Sequence, residues 1–352
     1  MSQETSLWLN QNTLIGFTEK RGHAWHYRAS DQGAEANHYE GAVPVEDVRR
    51  RLFNWQAVEG TMFVEIPNPN FDPARDGEAD NPVFVRIEDP TRKAIVRPDT
   101  GLIMGVFKQG YSMHQYDEWL LDSVATLLDD DLSIGSAGLL KGGALAWVQV
   151  EVPDNIETPE GVIFRPHLLA STSFDGSLAT TFNRSVQVVV CDNTLSCALG
   201  EKAQRFKVKH SRYSSMKLGD ARDALGIIHS ISEDFAREVA ELSATRVSDA
   251  EWRKFLDAIA PLEKDGEAVK GRSLTMAENK RDDLMRLWNH DERVAPWRGT
   301  AYGVVAAMNT YTHHVGIVRG ADRAERNMLR AVTGGVDKLD GDTVDTLMAV
   351  LA

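Results

Sequence analysis

The chain has 352 residues, with 39 Lys+Arg against 52 Asp+Glu, and a formal net charge of −13. Its 42% hydrophobic and 26% charged content is that of an ordinary globular protein. This excludes a collagen-like, low-complexity or wholly disordered chain, and it argues against a protein that binds nucleic acid through bulk positive charge. The length suits two domains or one large one.

The first forty residues read as polar and irregular around an aromatic cluster, Trp25, His26 and Tyr27. Pro44 followed by Val45, Val48, Leu52 and Phe53 predicts a short amphipathic helix over about 44–54. Strands are expected at 62–66 and 83–88, separated by a Pro- and Asp-rich surface excursion. Two more are expected at 92–97 and 102–107, joined by the turn chemistry of Pro98-Asp99-Thr100-Gly101. The stripe Trp119, Leu120, Val124, Leu127, Leu128 predicts a helix over 115–129. Strands follow at 134–140, 144–152, 162–173 and 178–190. Their turns are glycine- and proline-marked, and Asp175-Gly176 is the clearest hairpin signal. From Leu218 onward the period becomes helical: a long helix to about 245, then a capping box at Ser248-Asp249-Ala250-Glu251. A polar stretch over 263–273 precedes helices near 274–289, 299–316, 321–332 and 340–351.

These elements predict an α+β fold, a mostly antiparallel meander with flanking helices and a helical C-terminal third. The expected division is a mostly β region over 1–217 and a helical region over 218–352 packed on it. The opening residues have no basic-then-apolar pattern, and no run approaches about 18 apolar residues. Neither a secretory leader nor a membrane span is therefore expected, and the reading is cytoplasmic. Cys191 and Cys197 cannot make a disulfide framework or a four-ligand zinc site by themselves. They are expected to be reduced, metal-free packing residues.

Catalytic patterns are wanting. The glycines at 135–138 and 142–143 lie inside the meander rather than between a strand and a helix, where a phosphate loop needs them. His313 and His314 are adjacent, so on a helix they point about 100° apart and do not form an i, i+4 chelate; one packed and one exposed histidine is the expectation. Ser171, Ser173 and Ser185 have no nucleophile elbow around them. Trp25, His26 and Trp55 are expected to pack the N-terminal region onto the sheet. The sequence therefore points to a protein that is not an enzyme and needs neither cofactor nor metal.

One segment departs from the acidic background. Lys202, Arg205, Lys207, Lys209, Arg212 and Lys217 fall within sixteen residues that hold no Asp or Glu. Phe206 and Val208 alternate with Arg205, Lys207 and Lys209, so a strand here sets those three charges on one face. Lysine and arginine contacts to phosphate account for most non-specific nucleic-acid binding, and Phe206 or Tyr213 offers a surface for stacking on unpaired bases. Arg165 and Arg184, on meander strands, extend the same face if their strands are neighbours. The competing reading is that lysines guard an exposed edge strand against aggregation.

The run Val188-Val189-Val190-Cys191-Asp192-Asn193-Thr194-Leu195 with Ala198-Leu199 resembles the "VVCxNTL…AL" signature of the phage/plasmid-like proteins of unknown function. Trp25-His26, Leu52 to Val58, Leu168 to Gly176, and Gly299-Thr300-Ala301-Tyr302 with Asn309 and Tyr311 resemble further blocks of that family in order. Asp192 stands where the pattern usually has Asn, and 67–80 looks like an insertion. The resemblance implies a mobile-element setting inside a bacterial host, and no activity. In that setting two readings stand. The first is a DNA-binding accessory protein of single-strand annealing or recombination, forming a homo-oligomer or ring on single-stranded DNA; the predicted helix–meander–helix order is similar to the core of phage annealing proteins of the RecT/Red-beta group. The second is a non-catalytic protein-binding or host-modulating factor.

Overall fold

Residues 3–23, 27–72, 82–128, 132–152, 154–188, 193–195, 206–208, 218–264, 266–318 and 323–352 are described by the computed structural model. The N-terminal stretch, expected to be irregular, forms α1 (Gln3–Asn12), β1 (Thr13–Ile15) and the one-turn α2 (Thr18–Arg21). Strand β1 is too short to register as an alternating run, and it is held by pairing rather than by its own pattern. The predicted short helix is α3 (Val45–Arg51), with Pro44 before its first turn and Val48 wholly buried.

A separate three-stranded antiparallel sheet follows: β2 (Val58–Pro67), β3 (Phe84–Arg97) and β4 (Leu102–Lys108). The strands expected at 83–88 and 92–97 are one strand, β3. Its outer half pairs β2 alone and its inner half pairs both neighbours. The outer half is a two-stranded arm on which Phe63, Val64, Phe84 and Ile87 are each about half exposed.

The helix expected over 115–129 is a π-helix, Asp117–Asp122, running into the single turn α4 (Ser123–Ala125). The adjacent Leu120 and Leu121 both lie wholly buried in the core. Trp119 stacks flat on His114, with ring centroids 3.7 Å apart.

The meander is the centre of the molecule: β5 (Ser133–Leu140), β6 (Leu145–Glu151), the short β7 (Ile156–Glu157), β8 (Ile163–Ser173) and β9 (Thr180–Val188). Strand β1 adds antiparallel to β5. On the far side, β10 (Asn193–Leu195) and β11 (Phe206–Val208) both pair β9. Gly176 takes a φ of 74° in the β8–β9 turn, where Asp175 accepts from the Ser177 amide.

The helical part comprises α5 (Leu218–Ala244), α6 (Asp249–Ile259), a small hairpin β12 (Glu263–Lys264) and β13 (Glu267–Ala268), and α7 (Gly271–His290). It ends with α8 (Ala301–Thr310), a second π-helix (Tyr311–Val315), α9 (Arg323–Thr333) and α10 (Gly335–Leu351). The capping box at Ser248 forms as read, with the Ser248 hydroxyl accepting from the Glu251 amide and Glu251 accepting in return. Trp55 packs edge-on against Tyr116 and Phe174, and the Arg97 guanidinium lies 4.4 Å from its ring centroid. Trp25 and His26 lie outside the described residues. The main core draws on both sides of residue 217, from Leu14, Val148 and Phe164 to Phe235, Val304 and Leu347. Among the described residues no helix is long and apolar enough to cross a membrane.

Candidate functional site

Because partners in an antiparallel ladder point to the same face, the strand registers divide the main sheet into two unlike faces. Phe164, Leu168, Ala170, Phe182, Val148 and Val150 lie on one. That face is apolar, and α5 covers it, with Phe235 centred 4.6 Å from Phe164. The other face carries a row that runs across six strands: Thr13, Gly138, Trp147, Ser171, Thr181 and the position of Lys207. Flanking that row are Gln149, Glu151, Arg165, His167 and Asn183. This face is polar and buried. The Ser171 hydroxyl and the Asn183 side-chain carbonyl are fully covered and have no hydrogen-bond partner among the described residues, although buried polar groups are as a rule satisfied.

Two glycines shape it. A Cβ on Gly138 would lie 2.1 Å from the Trp147 ring, and one on Gly135 would lie 2.2 Å from the Glu151 carboxyl. Their bareness lets both large side chains lie flat across β5. Over the apolar half of this face sit α1 and α9: Leu9, Ala324 and Val332 pack with Leu140, Leu145, Trp147 and Leu169.

The residues expected to bind nucleic acid distribute as follows. Lys207 occupies the middle of β11, paired with Thr181, and so belongs to the polar face. Arg165 pairs Gln187 and belongs to the same face, but it is only 3% exposed and its Nε donates to the Asn155 side chain, so it is a buried group there. Arg184 pairs Leu168, which sets it on the opposite face. The expectation that Arg165 and Arg184 extend one face therefore does not hold: an odd-numbered and an even-numbered position cannot share a face across this ladder. Phe206 pairs the core residue Phe182, so its position is on the packed face and not beside Lys207. Lys202, Arg205, Lys209, Arg212, Tyr213 and Lys217, like Cys191 and Cys197, lie outside the described residues.

A second polar locus was not singled out from sequence beyond its histidines. Helix α8 ends in the π-helix, and α10 packs beside it, leaving a narrow cleft lined by Asn309, Thr312, His313, Asp340 and Thr343. The Asn309 amide donates to Asp340 at 3.2 Å. Strand β10, from the first signature block, packs against both α8 and α10, so the blocks containing Asn193 and Asn309 meet here. A π-turn leaves the end of its helix with carbonyls lacking intrahelical partners. Here α9 supplies the donors: Arg326 to the Thr312 carbonyl at 2.7 Å, Asn327 to that of His313, and Arg323 to those of His313 and Val315.

His313 is buried and His314 half-buried. Burial, with His314, Arg326 and Arg330 nearby, pushes the His313 imidazole down to about 3. An unfolded chain takes up that proton below about pH 6.5, while the folded chain refuses it until about 3. The stability that follows from a neutral His313 is complete above pH 6.5 and is lost as pH falls toward 3. His313→Asn is expected to flatten the decline of melting temperature across that window; a decline parallel to that of the unsubstituted chain would refute the assignment. Among the described residues no group of three or more His, Cys, Asp or Glu is placed to hold a metal ion.

Residues 103–333 match the family described as a domain of unknown function, DUF932, about two thirds of the chain. No curated protein matches, and no solved structure does.

Proposed function

We propose that this chain, which belongs to the DUF932 family, is a non-catalytic accessory protein that binds single-stranded DNA and acts as a homo-oligomer in annealing or recombination on a mobile element. The observation that carries the reading is the place of Lys207. It is the described member of the basic segment 202–217 on the polar side of the sheet, in register with Thr181 and Ser171. The other side of the sheet is committed to the core and the residues beside Lys207 on the polar side are buried, so nucleic acid would approach at the β11 edge. The order of an antiparallel meander followed by the 27-residue α5 laid across its apolar face is similar to that of phage annealing proteins, an analogy of fold and not of activity. The acidic total is compatible with a local basic strip, because phosphate responds to the field within about 10 Å at moderate salt. The sequence resemblance to phage/plasmid-like proteins supports the mobile-element setting.

Size-exclusion chromatography with light scattering tests it. The expected result is a high-order assembly whose elution shifts when a single-stranded oligonucleotide is added. A monomer indifferent to the oligonucleotide overturns the reading. It would favour the alternative of a protein-binding or host-modulating factor, to which the exposed Phe63, Val64, Phe84 and Ile87 of the β2–β3 arm give specific support.

A further inference from the structure

The helix that covers the polar face carries its own basic stripe. At about 100° per residue, Arg323, Arg326 and Arg330 of α9 fall within an arc of roughly 60°. Ala324, Met328 and Val332 lie on the opposite side, packed with the cluster over Trp147 and Leu169. The three arginines extend about 10 Å along the helix.

Several arginines of this acidic chain meet carboxylates: Arg49 with Asp122, Arg50 with Glu35, Arg86 with Glu65, Arg97 with Asp99, Arg281 with Asp257 and Arg293 with Asp291. Arg323 and Arg326 instead donate to main-chain carbonyls at the π-helix end, and Arg330 forms no hydrogen bond or ion pair among the described residues. All three are half-buried. Burial and the charges of Arg330 and Arg323 pull Arg326 below the ordinary guanidinium range. Positive charge is thus held together against its own repulsion, and among the described residues none of the three forms an ion pair with a carboxylate.

We propose that the arginine stripe of α9 is a second contact for the phosphodiester backbone of single-stranded nucleic acid, acting with the Lys207 strand. This rests on the reading of the preceding subsection and deepens it. The row from Trp147, beneath α9, to Lys207 crosses three strand spacings, about 14 Å. Ser171 and Thr181 between them are buried, so a single strand that engages both passes over the chain covering this face rather than along the sheet itself. Guanidinium groups pre-positioned by the π-helix carbonyls suit phosphate, because their planar donors match its oxygens pairwise and little side-chain freedom remains to be lost. Contacts of this kind carry no sequence information, so the stripe adds affinity and register rather than base preference.

The test is a titration of a fluorescent single-stranded oligonucleotide at several salt concentrations. It compares the full chain with Arg330→Glu, and with Arg323→Gln/Arg326→Gln. Arg330→Glu is the primary variant, because Arg330 makes no bond that holds the fold; its melting temperature is expected to be unchanged. Loss of one phosphate contact lowers the magnitude of the log–log salt slope by about 0.7 and weakens binding about eightfold at 0.05 M salt. If the full chain binds and both variants reproduce its affinity and slope, the stripe is not a contact, while the Lys207 reading stands. If the full chain does not bind, both fall. Displacement of the oligonucleotide by polyglutamate at equal charge concentration would assign the stripe to an acidic protein partner and overturn the proposal.

Discussion

Trp288→Ala is expected to cost about 3–5 kcal/mol of folding stability, the range for deleting a large aromatic from a packed core. Trp288 is wholly buried in α7 and lies nearly parallel to Trp252 of α6, with ring centroids 4.5 Å apart. Trp252 in turn donates its indole N–H to the Met285 sulfur. The Trp288 ring also lies 3.3 Å from where a Cβ on Gly303 of α8 would sit, so it ties three helices at one point. Its own indole N–H is buried without a partner among the described residues. Trp288→Phe therefore removes an unsatisfied donor along with some volume, and it is expected to cost less than half as much as the alanine change. Urea unfolding decides this: a large drop in midpoint for alanine, a small one for phenylalanine, and unchanged slopes. Equal losses for the two would mean that the ring is not what holds the helices.

Lys207→Glu/Lys209→Glu is expected to weaken oligonucleotide binding far more than any single neutralisation. Two lost phosphate contacts reduce the salt-slope magnitude by about 1.4, which corresponds to roughly sixtyfold at 0.05 M salt, before any repulsion from the new carboxylates is added. The loss should be the same for every oligonucleotide sequence. The rival account starts from the same strand: β11 pairs β9, and a lysine in a short outer strand discourages further pairing. On that account the double variant stays soluble and its DNA affinity is unchanged or absent throughout. Binding curves that superimpose on those of the unsubstituted chain would sink the binding account.

Much of the fold was legible because its signals are local. Asp175-Gly176 announces the β8–β9 hairpin, and Ser248 with Glu251 announces the start of α6, each within a few residues. Both π-helices were read as α-helix because an apolar stripe reports burial and not the hydrogen-bonding step. Strand β1 escaped because three residues cannot show a period. The candidate site was harder, since a sheet face is fixed by register. Whether Arg184 sides with Arg165 depends on the length of the turn between β8 and β9, and whether Phe206 sides with Lys207's neighbours depends on how β11 returns to β9. The α9 stripe, by contrast, was present in the i, i+3, i+7 spacing of Arg323, Arg326 and Arg330. What hid it was the need to know which carboxylates the fold brings near.

The placement of β1 also sets an order of events. Successive strands of the meander pair across short connections, whereas Thr13 of β1 meets Gly138 across about 120 residues of chain. Closing a loop some ten times longer carries an added entropy cost of about 2 kcal/mol. On this ground the meander with α5 is expected to form before β1 joins it. On this account β1 is expected to join late and to open before the central strands β6 and β8 when the native state fluctuates. Hydrogen–deuterium exchange is therefore expected to be faster at β1 than at β6 and β8, and equal protection of the three would refute that order.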